Sequence, residues 1–336
     1  MTTLRILHLS DTHLMDGGAL HEGTVDTVAA YRHTLEAFEN VGPLDLVVVS
    51  GDASDDGSPA SYRTLRSLTE DFASRHRAVA IYAMGNHDQR GGFRAVLGTG
   101  HPGSEVERSA AEPSAIPDAP IVGVSEVAGY RIITLDSSVP DRTHGHVDAA
   151  QLAWLQSELS TNHGYGSVVV IHHPPVEPVT PLHHGIELIN AAELAAALAG
   201  TDTVAILSGH YHHHLSDVLA TESGSIPVVV TSGIVNSNDV LASPGHERAV
   251  AGSGGTLVTI SALSATEPSR QGTVARVRTL PFRFHLPKDV SPDVVFDLGG
   301  AIVASISKRI AATPAERVAT ESTPPTYFPA ASPAPR

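Results

Sequence analysis

Leu4-Arg5-Ile6-Leu7-His8-Leu9-Ser10-Asp11-Thr12-His13 is the stretch from which the fold follows. A short run dominated by Leu and Ile ends in Asp11 and His13, two side chains able to hold a cation. The pattern recurs four times. Leu44–Ser50 runs into Gly51-Asp52, and Ala78–Ala83 into Gly85-Asn86-His87-Asp88. Val168–His172 runs into His172-His173-Pro174-Pro175, and Val204–Ser208 into Gly209-His210-Tyr211-His212. Most of these runs are continuously apolar rather than alternating, as expected of strands covered on both faces. Ligands at the ends of several parallel strands converge on one edge of an α/β sheet.

Working outward, Arg131–Asp136 and Val228–Thr231 read as further strands. Thr24–Glu39, Pro59–Ser74, Asp148–Thr161 and Asn190–Leu198 read as helices between them. Asp148 and Asn190 suit N-caps, and Pro59 suits a first helical turn after Ser58. This alternation predicts an α/β sandwich. Pro102–Pro120, rich in Pro, Ala, Ser and acidic residues, reads as an exposed loop. Residues 1–260 are expected to form the main domain. Residues 261–310 read as a C-terminal extension packed on it; strand-like runs lie at Leu257–Ile260, just before the extension, and at Thr273–Phe284 within it. Residues 311–336, holding six Pro, read as a disordered tail.

Composition narrows the function. The formal charge of −15 argues against nucleic-acid polymers and anionic membranes as partners, since both call for a basic face. The chain has no Cys, which excludes disulfides, thiolate catalysis and Cys-based zinc sites. Aromatics make up 4% of residues, so the core must be aliphatic, and no stacking clamp for a base is evident. No run is long enough to span a membrane, and the N-terminus leads straight into the first strand, so a cytoplasmic protein is expected. Histidine is the outlier, with twenty copies.

The five blocks suit two metal ions. Asp11 and His13 stand one residue apart just past a strand and can turn toward one point. Asp52 has two oxygens, one for each of two cations. Asn86 offers a neutral carbonyl oxygen, and His172, His210 and His212 offer imidazoles. This mixed nitrogen and oxygen set fits Fe, Mn, Zn or Co better than Ca or Mg. Two such ions, about 3.5–4 Å apart, hold a hydroxide whose conjugate water has a pKa near 7. That hydroxide would attack a phosphate ester in line, while the ions neutralise the phosphoryl oxygens. His87 is left to face the leaving oxygen, and Asp88 to orient its ring.

Asp11-x-His13, Gly51-Asp52, Gly85-Asn86-His87-Asp88, His172 and Gly209-His210-x-His212 together resemble the full signature of the calcineurin-like metallophosphoesterases, with no ligand position missing. The resemblance implies a four-layer αββα sandwich of two mixed sheets flanked by helices. It implies that one metal takes Asp11, His13, Asp52 and His212, and the other Asp52, Asn86, His172 and His210, with iron and manganese favoured. It leaves His173 behind the ligands, and His213 and His214 behind them or at the surface. Leu135-Asp136-Ser137-Ser138-Val139-Pro140, Gly145 and Gln151-Leu152-Ala153-Trp154-Leu155 resemble the class III cyclic nucleotide phosphodiesterases, in particular actinobacterial members. Trp154 by itself reads as a core residue.

The implied reaction is hydrolysis of cAMP or cGMP to the 5′-nucleoside monophosphate, with His87 assisting departure of the ribose 3′-oxygen and Asn86 admitting the phosphate. The same metal site would also serve glycerophosphodiesters, 2′,3′-cyclic nucleotides and other small diesters. A non-catalytic metal-binding regulatory module is the remaining alternative, against which the complete ligand set and His87 stand. His144, His146, His183, His184, Asn236 and Asn238 lie in loops and are candidates for the pocket rim, with a plain surface role as the alternative for each. A homodimer is suggested by the resemblance alone.

Overall fold

The computed structural model describes residues 3–103, 119–262 and 275–311. Most of the loop read at Pro102–Pro120, and the tail beyond residue 311, lie outside them. The chain first alternates β1 (Thr3–Leu9), α1 (Thr27–Ala37), β2 (Leu46–Val49), α2 (Pro59–His76), β3 (Val79–Tyr82) and α3 (Arg90–Leu97). It continues with β4 (Gly123–Val127), β5 (Tyr130–Leu135), α4 (Ala149–Glu158), β6 (Ser167–Ile171) and α5 (Ala191–Leu198). Then come β7 (Thr203–Ser208), β8 (Leu215–Thr221), β9 (Gly224–Val230), β10 (Ser237–Asn238) and β11 (Glu247–Val250). The last elements are β12 (Ser253–Ala262), β13 (Ala275–Phe284), β14 (Val294–Leu298) and α6 (Gly300–Ala311).

Two mixed sheets carry the architecture. The first has the order β13-β12-β1-β2-β3, with β1, β2 and β3 parallel and β12 antiparallel to β1. The second has the order β4-β5-β6-β7-β9-β8, parallel from β5 to β9 and antiparallel at both edges. A third, three-stranded sheet, β10-β11-β14, was not anticipated from the sequence. Neither were α3, β4 and β8.

The alternation of side chains along each strand explains the layers. Leu4, Ile6, Leu46 and Val48 of the first sheet bury against Ile132, Val168, Val170 and Leu207 of the second. Their neighbours Leu7, Leu9, Val47 and Val49 point the other way, onto Tyr31, Leu35, Tyr62, Leu65 and Phe72 of α1 and α2. Ile133, Leu135, Val169 and Ile171 likewise turn outward onto Trp154, Leu155, Leu194 and Leu198 of α4 and α5. Strands covered on both faces need no polar side, which is why these runs read as continuously apolar. The result is four layers: helices, sheet, sheet, helices.

Local signals set the helix starts. Ser58 Oγ accepts from Ser61 N ahead of Pro59, and Asp148 Oδ1 accepts from Gln151 N. Asn190 does not cap α5. Its amide instead bridges to Val147 N and Val147 O, because the loop before α4 packs there and supplies both partners. Among the described residues, no helix is long and apolar enough to cross a membrane.

Candidate metal centre

The two sheets bring the C-terminal ends of β1, β2 and β3 against those of β6 and β7. The turns that follow them are laced together. Asp11 N donates to Gly51 O, His13 N to Asp52 O, and Gly209 N to His172 O, at 3.0, 2.8 and 3.0 Å. Five of the seven expected ligand residues have left-handed backbones: Asp11 (φ 55°), His13 (42°), Asp52 (45°), His210 (71°) and His212 (50°). Asp and His are among the side chains that best tolerate this region, yet each such residue costs about 1–3 kcal/mol. The fold holds that strain because it aims all five side chains inward.

Two glycines of the blocks are required by close approach. A Cβ on Gly51, itself at φ +111°, would lie 2.4 Å from the His172 ring. A Cβ on Gly85 would lie 2.3 Å from both the backbone nitrogen and Oδ1 of Asp52.

The side chains gather in two groups, with Asp52 a member of one and facing the other. Asp11, His13 and His212 form one group, with Asp11 Oδ1 and His212 Nε2 3.3 Å apart. Asp52, His172 and His210 form the other. Asp52 Oδ2 stands 3.2 Å from His172 Nε2 and 3.6 Å from His13 Nε2, so one carboxylate oxygen faces both groups.

Each imidazole is held from behind. His13 Nδ1 pairs with Asp55 Oδ1 at 3.0 Å, His172 Nδ1 with Ser50 O at 2.9 Å, and His212 Nδ1 with Asn236 Oδ1 at 2.7 Å. With Nδ1 engaged in all three, Nε2 is the atom left to face a cation. His210 is held the other way, by Nε2 on Ile186 O at 2.8 Å, leaving Nδ1.

The donor set passes a direct test of fit. Asn86 Oδ1, an expected ligand atom, is buried without a hydrogen-bond partner. A buried oxygen acceptor without a donor is costly, and a cation satisfies it. Electrostatics agree. Burial opposes ionisation of Asp11 and Asp52, but His212 and His172 hold both carboxyls below the usual range. Burial drives His13 down to about 4 and His210 well below its ordinary value, whereas, against burial, Asp52 raises His172 to about 9 and Asp11 raises His212, so protons sit where cations would replace them.

His87 stands apart from the buried set, with a 42% exposed side chain. Burial opposes its protonation, but Asp52 and Asp55 outweigh that and raise it to about 9. The expectation that Asp88 orients this ring is corrected. Asp88 is buried, and its oxygens accept from Ala53 N, Ser54 N, Gly85 N and the Tyr62 hydroxyl. These donors turn it toward the loop after β2. Asp55 takes the role instead, with Oδ1 2.8 Å from His87 Nδ1.

His173 is buried beside His210, its ring held by Ser137 Oγ and Thr143 O. His213 takes Tyr211 O, and His214 takes Phe282 O. A small cleft of about 180 Å³ opens above the cluster. Of the rim candidates, His183, Asn236 and Asn238 line it, whereas His144, His146 and His184 do not.

Asp55 and His21 were missed. Asp55 lies three residues past Asp52 in an acidic turn, and also meets His21 Nδ1 at 3.2 Å. Its spacing was the one available signal. Nothing in the sequence distinguished Asp55 from Asp56.

A family model described as calcineurin-like phosphoesterase matches residues 4–214, the span that holds every ligand residue above. The chain belongs to this family. Among calcineurin-like phosphoesterase relatives, one from Mycobacterium tuberculosis (strain CDC 1551 / Oshkosh), named a cAMP/cGMP dual specificity phosphodiesterase, is 38% identical over 244 residues. That alignment covers 72% of this chain and 71% of the relative. A "probable cyclic nucleotide phosphodiesterase" of Rhodococcus erythropolis is 36% identical, over 72% of this chain and 75% of its own. A "probable glycerophosphodiester phosphodiesterase" of Arcobacter nitrofigilis is 28% identical, over 73% of this chain and 80% of its own. The family implies divalent metal ions, and the two Asp/His groups are where this phosphoesterase could hold them.

Proposed function

We propose that the protein hydrolyses 3′,5′-cyclic nucleotides to 5′-nucleoside monophosphates on two metal ions. The observation that carries the reading is the orphaned Asn86 Oδ1 in the cleft that Asp52, His13, His210 and His212 also line. Asp11, His13, Asp52 and His212 would hold one ion, and Asp52, Asn86, His172 and His210 the other. When bound, these ions supply charge neutralisation at the phosphoryl oxygens and an activated water.

The chain's own residues account for the rest. Asp55 engages His87 Nδ1, so Nε2 is the nitrogen that would serve the cleft His87 lines. Against burial, the Asp52 and Asp55 carboxylates favour the protonated ring of His87, which would give its proton to the ribose 3′-oxygen as the phosphorus–oxygen bond breaks. The water oxygen ends on phosphorus, and the product carries a free 3′-hydroxyl and a 5′-phosphate. The names of the Mycobacterium and Rhodococcus relatives support this substrate class. The Arcobacter relative's name favours a second reading, a broader diesterase that takes glycerophosphodiesters and 2′,3′-cyclic nucleotides.

Metal-loaded enzyme offered cAMP, cGMP, 2′,3′-cAMP, glycerophosphocholine and a chromogenic diester side by side separates the two. The 3′,5′-cyclic nucleotides should be turned over most efficiently. Turnover far below that of the other diesters would assign the protein to the second reading.

A further inference from the structure

The sheet β10-β11-β14 faces the cleft and supplies no expected metal ligand. Its register places Asn238 opposite Ala249 and Ala249 opposite Phe296. Glu247 lies two residues before Ala249 and so on the same face. All four side chains line the cleft that also contains His13, Asp52, Asn86 and His210. One face of this sheet therefore looks across at the metal-ligand cluster.

Its chemistry differs from that of the cluster. Phe296 and Ala249 make an apolar strip, extended by Leu182 and Ile186. Beside it, Glu247 is 2% exposed and Asn238 8% exposed. Glu247 Oε1 accepts from Asn238 Nδ2 and from Thr180 Oγ1. Glu247 Oε2 and Asn238 Oδ1 are buried without a partner. Two orphaned acceptors on the sheet face that also carries an aromatic ring call for a flat ligand that carries N–H donors. A phosphate has no such donor at neutral pH, whereas an amino-bearing base has a π-face and donors on its edge. The spacing is that of one side chain. His183 Nδ1 lies 3.7 Å from Glu247 Oε1, and its ring centroid 5.8 Å from that of His210.

We propose that this C-terminal sheet is the base-recognition wall, with Phe296 packing on the face of the base and Glu247 and Asn238 accepting hydrogen bonds from its amino group. The inference rests on the cyclic-nucleotide reading above and names the specificity residues for it. It assigns the C-terminal strand β14 a place in substrate selection, although it lies outside the matched family span.

The test compares wild type, Phe296→Ala and Glu247→Gln on three substrates: cAMP, the 3′,5′-cyclic phosphate of purine riboside, which lacks the amino group, and methyl ribofuranoside 3′,5′-cyclic phosphate, which lacks the base. Phe296→Ala should lower the ratio of kcat/KM for cAMP to that for the base-free ring about tenfold, the effect of losing one base–aromatic contact, mainly through KM. Glu247→Gln should reduce the preference for cAMP over the desamino substrate about tenfold, as expected for a lost charge-assisted hydrogen bond. A binding readout runs in parallel. The ratio of inhibition constants for 5′-AMP and ribose 5-phosphate, against a chromogenic diester, should shift in the same sense. Ratios equal to wild type in both variants, whatever the absolute rates, overturn the proposal. Equal wild-type efficiency on cAMP and the base-free ring also overturns it, while leaving the reaction standing. A wild type that cleaves other diesters and no cyclic nucleotide removes the substrate reading, and this inference with it.

Discussion

Asn86→Ala should separate stability from function in opposite directions. In the metal-free protein Asn86 Oδ1 is a buried acceptor without a donor, which costs about 1–3 kcal/mol. Deleting the amide removes that cost and forfeits only a small side chain at a half-buried position. Chelator-treated Asn86→Ala is therefore expected to be as stable as wild type or more so, by up to about 1 kcal/mol. Metal reverses the order. An ion present at about a hundred times its Kd stabilises the folded state by roughly 2.7 kcal/mol. Wild type should gain that much on addition of manganese, whereas the variant should gain less, because one of the two groups has lost a ligand. Diester hydrolysis should be abolished. Urea denaturation of both proteins, with chelator and with manganese, measures all four stabilities. If the metal-free variant is less stable by well over 1 kcal/mol, and manganese raises both proteins equally, the orphaned oxygen is not there for a cation.

His87→Ala should lower turnover about 10²–10⁴-fold at unchanged metal content, as for a lost general acid; metal loss in proportion to activity would make it a structural support of the cluster. Asn236→Ala removes the acceptor that fixes His212 and should weaken metal binding about 10–100-fold, with activity recovered in excess metal. An unchanged metal affinity would contradict that role. Gly85→Ala forces a Cβ onto the Asp52 backbone and should cost about 1–3 kcal/mol, read as a lower denaturation midpoint; an unmoved midpoint refutes it. His101 is buried between Ser125 Oγ and Thr134 Oγ1, and burial lowers its pKa from 6.5 to about 3. Below pH 6.5 the unfolded chain takes up a proton that the folded chain refuses, so stability falls on acidification by roughly 2 kcal/mol at pH 5. His101→Gln should flatten that limb of the stability curve, and parallel curves for variant and wild type would refute the assignment.

The five blocks that gather in the candidate site were legible because the chemistry they suit is local. A cation site at strand ends requires particular side chains immediately after an apolar run, and both the run and the side chain are written consecutively. The same holds for Ser58 and Asp148, whose capping bonds span three residues. Asp88 shows the limit. Its position beside His87 suggested a partner, yet the backbone N–H groups after β2 are better placed donors and take its oxygens. Asn190 misled for the same reason.

The sequence alone determined the layered α/β class, the central parallel strands and the seven residues that converge after them. These depend on periodicity and on side-chain chemistry within a few residues. The tertiary structure decided which atoms of those residues remain free: Ser50 O, Asp55 and Asn236 engage Nδ1 of His172, His13 and His212, and all three lie far away in sequence. It also brought Phe296 within the cleft of His13, across nearly the whole chain. Such pairings come from sheet register and from the packing of two sheets, neither of which leaves a local trace in the order of residues.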